Sequence, residues 1–167
     1  MSEYLLPDLA YDPGSLEPHL RGEAGRELQA TLLDLVDLAL TGKQLHWSVV
    51  GTHFRALHLQ LDELVDSWHE LADAVAERAV AIGTFPDGQA GAVAARGLAR
   101  PLEAGAIEDH VVVRELAHRI AEVSELVRAR MDRMGELDTA SQDVLVDVVR
   151  ALEEQQWMVR AQLPHGA

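Results

Sequence analysis

Apolar residues recur at helical spacing along four stretches of the chain. Residues about three or four positions apart lie on one face of a helix, so each stretch carries a stripe that can face a core. No stretch alternates like a strand for more than a few residues, which predicts four helices and no sheet. The four stripes are Leu28, Leu32, Leu35 and Ala39; Leu57, Leu61, Leu64, Val65, Leu71 and Val75; Val112, Leu116, Ile120, Val123, Val127, Met131 and Met134; and Leu145, Val148, Leu152, Val159 and Leu163.

Prolines limit where these helices can lie, because proline breaks a helix interior. No proline occurs between Pro18 and Pro86 or between Pro101 and Pro164. Each interval therefore holds two predicted helices. Four helices of roughly 25 residues, about 38 Å long at ~1.5 Å per residue, predict an all-α protein built as a four-helix bundle.

Glycines and short polar residues predict the helix ends. The segment between the second and third helices is a long crossover, of which ferritin-like bundles have one, and Asp87 is expected to cap a short helix over 88–95 within it. The predicted organisation is an extended N-terminal tail over 1–21, a ferritin-like four-helix bundle over 22–163 and a short C-terminal tail over 164–167. The predicted helix limits are Glu23 to Gly51; Thr52 as N-cap to Gly83; Glu108 and Asp109 to Gly135; and Thr139, in a capping box with Gln142, to Pro164.

The composition excludes several classes of protein. The 167 residues fit one domain, and 28 acidic against 14 basic residues give a formal net charge of −14, which argues against a general nucleic-acid binder. The absence of cysteine excludes disulfide scaffolds, thiol catalysis and cysteine–zinc sites. No apolar run reaches the ~18 residues that cross a membrane, and the start of the chain lacks the basic stretch of a signal peptide. We therefore expect a cytoplasmic protein without a membrane partner, and its association with the nucleoid stays open.

The second predicted helix carries a polar face of unusual composition. Two histidines and four carboxylates of this helix share an arc of about 100°. One interpretation is a solvated acidic face, and the other is a metal site. No lysine or arginine balances the stripe, and the interleaved histidines favour a metal such as iron. The six residues are His58, Asp62, Asp66, His69, Asp73 and Glu77.

Distance requires two copies of the chain for such a site. His58 and Glu77 lie about 28 Å apart along one helix, so they cannot bind the same ion within one chain. When two copies of a helix lie antiparallel across a two-fold axis, a residue before the axis faces the residue that lies equally far after it on the other copy. The pair His58 with Glu77 and the pair Asp62 with Asp73 are centred on the same point of the helix, so one axis brings both pairs together. The spacing predicts two equivalent histidine-and-carboxylate sites at a dimer interface.

Three motifs together resemble the signature of the Dps family of mini-ferritins. The resemblance extends over roughly residues 23–163, and it includes His46, which taken alone would read as a core histidine of the first helix. The motifs are Lys43-x-x-His46-Trp47-x-Val49-x-Gly51-x-x-Phe54-x-x-Leu57-His58-x-x-x-Asp62, Asp73-x-x-Ala76-Glu77-Arg78-Ala79-x-x-Ile82-Gly83, and Glu153-x-x-x-Trp157-Met158-x-Arg160-x-x-Leu163.

The resemblance implies a homo-oligomeric shell of twelve subunits with 23 symmetry. Such a shell is a ferroxidase that oxidises Fe²⁺ to Fe³⁺ with hydrogen peroxide or dioxygen at its two-fold interfaces and stores the ferric mineral, which protects against oxidative damage. The resemblance assigns His46 and His58 to one subunit, Asp73 and Glu77 to its two-fold mate, and Asp62 to the histidine side. Lys43 and Trp47 would orient the ligands and shield the site. Taken singly, these two are equally well a surface lysine and a packed tryptophan.

The two predicted tails lack the lysines through which family members often bind DNA. The N-terminal tail carries four acids before Arg21, and the C-terminal tail carries His165 and no formal charge at neutral pH. DNA binding is therefore not expected at neutral pH. The alternatives to an iron-oxidising shell are a nucleoid-compacting DNA-binding protein with secondary iron chemistry and an inert helical scaffold.

Three aspartates at the start of the fourth predicted helix admit two interpretations. Asp138, Asp143 and Asp147 resemble the three-aspartate lining of the three-fold entry pore in related shells. Acids near a helix N-terminus are also stabilising without any pore. The sequence leaves both interpretations open.

Overall fold

The computed structural model describes residues 16–96 and 101–163. The predicted all-α architecture is confirmed, since within these two ranges four long helices form a bundle and one short helix lies in the crossover. Among the described residues, no helix is long and apolar enough to span a membrane. The predicted C-terminal tail and most of the N-terminal tail lie outside the described residues. The elements are α1 (Pro18–Ser48), β1 (Val49–Val50), α2 (Phe54–Ala81), α3 (Ala90–Arg96), β2 (Ile107–Glu108), α4 (Asp109–Met134) and α5 (Thr139–Arg160).

The bundle consists of two helical hairpins that share one apolar core. The main helix pairings are α1 with α2 and α4 with α5, each joined by a short connection. The predicted stripes of all four long helices contribute buried residues to this core. Gly42 on α1 allows close approach to α2, because a Cβ there would lie 2.5 Å from Cζ3 of Trp68. Trp68 is fully buried, so the outer face of α2 has a fixed orientation.

A short parallel strand pair joins the end of α1 to the end of the crossover. Val49 pairs with Ile107 and Val50 with Glu108, whereas the sequence predicts no sheet. Two residues per strand are too few to leave an alternating pattern in the sequence. Gly51, which follows β1, has a φ of +123°, a conformation that favours glycine. The pair fixes the turn between α1 and α2 at a defined position on the bundle.

The first two long helices begin at different residues from those predicted. The first helix begins at Pro18 rather than near Glu23, because proline is well tolerated in the first turn of a helix. Residues 18–21 are thus helical and not extended tail. The N-cap position of α2 is His53 and not Thr52.

The predicted capping box at the start of α5 is also wrong. Asp138 is the N-cap, and its carboxylate accepts a hydrogen bond of 2.9 Å from the backbone N–H of Ser141. Gln142 instead donates to the carbonyl of Met131 at 3.2 Å. A negatively charged carboxylate is favoured at a helix N-terminus, so Asp138 takes the position that Thr139 was predicted to hold.

Asp138 also fastens α5 to α2, and this link should depend on pH. Its Oδ2 accepts from the Ser141 hydroxyl at 2.5 Å and from Nη2 of Arg78 at 2.7 Å. Burial raises the pKa of Asp138, but the hydrogen bonds from Ser141 and Arg78 outweigh it, so the pKa lies below its usual value. Because the folded pKa is depressed, the stabilisation is complete above the ordinary pKa and is lost as pH falls through the folded one.

Replacing this carboxylate by an amide should therefore cost stability at neutral pH and little in acid. We expect Asp138→Asn to lower the free energy of unfolding by about 1 kcal/mol at neutral pH, since the variant keeps a cap but loses the ion pair. The difference from the wild type should shrink below about pH 4. Urea unfolding across this pH range measures it. A constant difference at every pH would contradict the assigned ion pair.

A buried ion cluster holds the crossover and α4 against α1. Asp34 of α1 is fully buried, and its carboxylate lies 2.5 Å from Nη2 of Arg130 and 2.9 Å from Nε of Arg96. Arg130 is itself buried and contacts the Thr31 hydroxyl at 3.3 Å. Because Arg96 is the last residue of α3, this cluster connects the short crossover helix to the bundle.

Candidate metal centre

Two histidines from consecutive helices stack where α1 ends and α2 begins. His46 lies in the last turn of α1 and is 7% exposed, and His58 lies in the second turn of α2. Their ring centroids are 3.6 Å apart, with an angle of 24° between the planes. The turn through β1 and Gly51 reverses the chain and brings the two rings together. The predicted convergence of His46 and His58 is thus present within one chain.

Reciprocal hydrogen bonds to the backbone orient both rings. Nδ1 of His46 lies 2.9 Å from the carbonyl oxygen of His58, and Nδ1 of His58 lies 3.0 Å from the carbonyl oxygen of His46. A carbonyl oxygen can only accept, so each Nδ1 carries the proton and donates it. Each Nε2 then keeps its lone pair in the neutral ring. This is the arrangement in which a histidine is ready to bind a metal through Nε2.

Asp62 supplies a carboxylate to the same place, one turn beyond His58 on α2. His46, His58 and Asp62 each offer a ligand atom, and these atoms lie within 4.8 Å of one another. Oδ1 of Asp62 lies 2.6 Å from Nζ of Lys43 and 3.3 Å from Nδ1 of His46. The hydrogen bond from Lys43 lowers the pKa of Asp62. The carboxyl group is therefore ionised at neutral pH, which is the form in which a carboxylate binds a metal ion.

The other predicted ligands lie away from this group within one chain. Asp73 and Glu77 are exposed on the same helix, and Asp73 follows Asp62 by about 16 Å along its axis. Asp66 and His69, which the sequence placed on the same arc, are also exposed. The structure thus brings together three of the five predicted ligands and leaves two on the open face of α2.

Two aromatic residues border the histidine pair. Trp47, which the resemblance expects to shield the site, is 68% exposed in the single chain. Phe54 lies with its ring 5.0 Å from the ring of His58. The sequence analysis gave Phe54 no role beyond its place in the motif, although its position one turn before His58 could have indicated the contact.

The three predicted pore aspartates have different environments. Asp138 is bound to Ser141 and Arg78 as described above, which fits the interpretation of a helix cap. Asp143 and Asp147 are exposed, and Asp147 lies 3.5 Å from Nη1 of Arg150. No contact in the single chain brings the three carboxylates together, so a pore lining by Asp138, Asp143 and Asp147 stays a prediction.

A second group of potential ligands lies at the start of α4. Glu108, Asp109 and His110 offer atoms within 4.8 Å of one another. Asp109 accepts from the backbone N–H of His53 at 2.8 Å and lies 3.1 Å from its Nδ1. The backbone hydrogen bond from His53 lowers the pKa of Asp109. Helix N-termini favour carboxylates and disfavour cations, so this group is a poor position for a metal ion. Through its hydrogen bond with His53, Asp109 instead holds the turn before α2.

Comparison with known proteins establishes the family. A family model described as a ferritin-like domain matches residues 26–166. The DNA protection during starvation protein of Mycolicibacterium smegmatis is 35% identical over 81% of this chain and 74% of its own length. The chain belongs to the Dps family. The resemblance of its motifs to Dps proteins is therefore confirmed.

Solved Dps structures share the fold over most of the chain. DpsA14 from Streptomyces coelicolor superposes with a TM-score of 0.86 at 36% identity, covering 91% of this chain and 90% of that one. The tetragonal form of Dps from Mycobacterium smegmatis gives a TM-score of 0.86 at 30% identity, covering 99% and 96%. A further relative is the fine tangled pili major subunit of Haemophilus ducreyi, 36% identical over 99% of this chain and 84% of its own length.

Proposed function

We propose that this protein is a ferroxidase and iron-storage shell. It binds Fe²⁺ at two-fold subunit interfaces, oxidises it to Fe³⁺ and retains the ferric mineral inside an assembly of twelve chains with 23 symmetry. The observation that carries the proposal is the pair His46 and His58, whose Nδ1 protons are donated to backbone carbonyls, so that each Nε2 keeps its lone pair in a group that also includes Asp62. Its place among Dps proteins supports the same chemistry.

A second copy of the chain completes the ligand set. Asp73 and Glu77 are exposed on the arc of α2 that carries His58 and Asp62, and the spacing pairs them with those residues in an antiparallel copy. Two imidazoles and three carboxylates suit Fe²⁺, which accepts both nitrogen and oxygen ligands. Covering α2 would also bury Trp47 and exclude water from the site.

The side chains have separable tasks in this reaction. The histidines and carboxylates bind Fe²⁺, while Lys43 holds Asp62 in place and balances its charge before iron arrives. Two Fe²⁺ ions give one electron each to one hydrogen peroxide molecule, which takes up two protons and becomes two water molecules. Because the oxidant takes both electrons, no hydroxyl radical is released. The net charge of −14 on each chain attracts Fe²⁺ to the assembly.

The test is iron oxidation by a variant that lacks the histidine pair. Fe²⁺ is added without oxygen, hydrogen peroxide or dioxygen follows, and ferric absorbance is recorded by stopped flow. We expect His46→Ala/His58→Ala to slow the reaction by about 100-fold or more, because losing metal-bound ligands exceeds the 10- to 100-fold cost of losing their supporting groups.

The control for this test is a histidine on another face. His118→Ala removes an exposed histidine of α4 and should leave the rate unchanged. Light scattering confirms that both variants assemble. Equal rates in the wild type and the double variant would instead favour the inert scaffold.

The name of the Dps relatives raises the alternative of DNA binding, but the negative net charge of this chain predicts that it does not bind DNA at neutral pH. At neutral pH and physiological salt, a shell of −14 chains should not retard duplex DNA in a gel. Protonation of histidines below about pH 6 should allow only weak binding that added salt abolishes. A tight, salt-resistant shift at neutral pH would favour the nucleoid-compacting alternative.

The name of the pilus relative suggests filaments instead of closed shells. Electron microscopy of the assembled protein distinguishes the two forms.

A further inference from the structure

We propose a second divalent-cation site, located on the two-fold axis itself and formed by Asp66 and His69 from each of two copies. The inference rests on the two-fold pairing of α2 in the proposed function. It concerns residues that the proposed iron-oxidising site does not use. The role we assign to this ion is to offset the charge repulsion between the acidic faces of the two copies.

Both residues point away from their own bundle. Between them in the chain, Trp68 is fully buried and donates from Nε1 to Oε1 of Gln155 at 2.8 Å. The side chain of Gln155 donates in turn to the Ser67 hydroxyl at 3.0 Å. These contacts fix the inner side of α2 at this level, and Asp66 and His69 are exposed on the outer side. Within residues 16–96 and 101–163, neither side chain makes a hydrogen bond or an ion pair.

The register that forms the proposed iron sites also pairs these two residues. His58 with Glu77, and Asp62 with Asp73, place the two-fold axis midway between Ser67 and Trp68. Asp66 lies four residues after Asp62, and His69 lies four residues before Asp73. The same register therefore pairs Asp66 of one copy with His69 of the other. Each lies about 2 Å from the axis along its helix, at ~1.5 Å per residue. Two copies therefore place two aspartates and two histidines within about 5 Å along the helices.

The excess of negative charge on the two paired α2 faces favours a bound cation at the axis. Along α2 there are six acids, and the two arginines, Arg55 and Arg78, lie near its ends. Two such helices side by side bring acids together with no lysine or arginine of α2 near the axis, and the like charges repel the two copies. Two imidazole nitrogens and two carboxylate oxygens are a four-ligand set that Zn²⁺ accepts, and Fe²⁺ accepts the same donors.

Stoichiometry distinguishes this site from the iron-oxidising sites, because one axial site serves two chains. Assembled His46→Ala/His58→Ala protein, stripped with chelator and titrated with Zn²⁺, should retain binding of one ion per two chains. Adding Asp66→Asn or His69→Gln to this background should remove that ion. Asp132→Asn and His118→Gln, which make the same chemical changes at exposed positions of α4, should leave it bound.

Crystals of the wild type grown with Zn²⁺ provide the second measurement. An anomalous peak on the two-fold axis beside Asp66 and His69 is the expected result. Metal at His46 and His58 with none on the axis would overturn this inference and leave the proposed function intact. A direct ion pair between Asp66 and His69 across the axis would have the same two consequences. If α2 does not meet its copy at all, both proposals fail.

The double variant could fail to assemble, in which case the wild-type background decides. There, His69→Gln alone should lower total Zn²⁺ uptake by one ion per two chains. The rate of iron oxidation should stay within about twofold of the wild type, since His69 is not a ligand of the oxidising site. Unchanged uptake would contradict the axial site.

Discussion

Two inactive variants should regain activity when their chains assemble together. One variant carries His46→Ala/His58→Ala and the other Asp73→Asn/Glu77→Gln. In a mixed pair, the first chain supplies intact carboxylates and the second supplies intact histidines, so one of the two interface sites is complete. Random pairing in equal amounts makes half of the pairs mixed, so about one quarter of all sites should be restored. Ferric absorbance after co-refolding and peroxide addition measures the recovered fraction.

This experiment separates ligands that two chains share from ligands within one chain. Each variant refolded alone is one control, and shells assembled separately and then mixed without exchange are the other. All three samples should stay inactive. If the co-refolded shells also stay inactive while light scattering shows complete assembly, Asp73 and Glu77 do not complete the histidine site of a second copy.

Removing the buried charge of Asp34 should destabilise the fold more than any surface change. In Asp34→Asn, the guanidinium of buried Arg130 loses its nearest ionised partner and keeps only Glu27 at 4.0 Å, while Arg96 loses its ion pair with α1. Breaking a buried pair by removing one partner typically costs about 3–5 kcal/mol. We expect a loss of this size in the free energy of unfolding, measured by urea unfolding followed by circular dichroism.

The matched control is an ion pair at the surface. Glu153 of α5 pairs with Arg128 of α4, and both side chains are about half exposed. Glu153→Gln should cost less than about 1 kcal/mol, since water screens exposed pairs. Similar losses for the two variants would show that the Asp34 cluster is not the connection between the crossover and the bundle.

The sequence predicted the long helices because their stripes repeat over many turns, and it placed the start of α4 correctly, but it misplaced the start of α1 and the N-caps of α2 and α5. One neighbouring polar residue can replace another as the cap, and local pattern does not distinguish Asp138 from Thr139. The Asp34 cluster escaped prediction for a different reason. Its partners, Arg96 and Arg130, are distant in sequence and lie on other helices, so no local spacing connects them to Asp34.

The candidate site was predictable in its composition and only partly in its geometry. Helical periodicity placed His58 and Asp62 on one face, and the family motif added His46. The reciprocal bonds that fix both rings depend on the exact turn between α1 and α2, which the two-residue strand pair and Gly51 set. No side-chain pattern encodes a hydrogen bond to a carbonyl oxygen. The contribution of a second copy stays a prediction, because one chain cannot display it.

The burial of Trp68 gives the molecule an internal optical probe of folding. Trp68 is fully buried, whereas Trp47 and Trp157 are 68% and 62% exposed. A quencher dissolved in water, such as acrylamide, therefore reaches two of the three indoles in a separated chain and reaches the third only after unfolding. Pairing through α2 would protect Trp47, which adjoins His46. The fraction of fluorescence that resists quenching thus records folding and subunit pairing as separate steps.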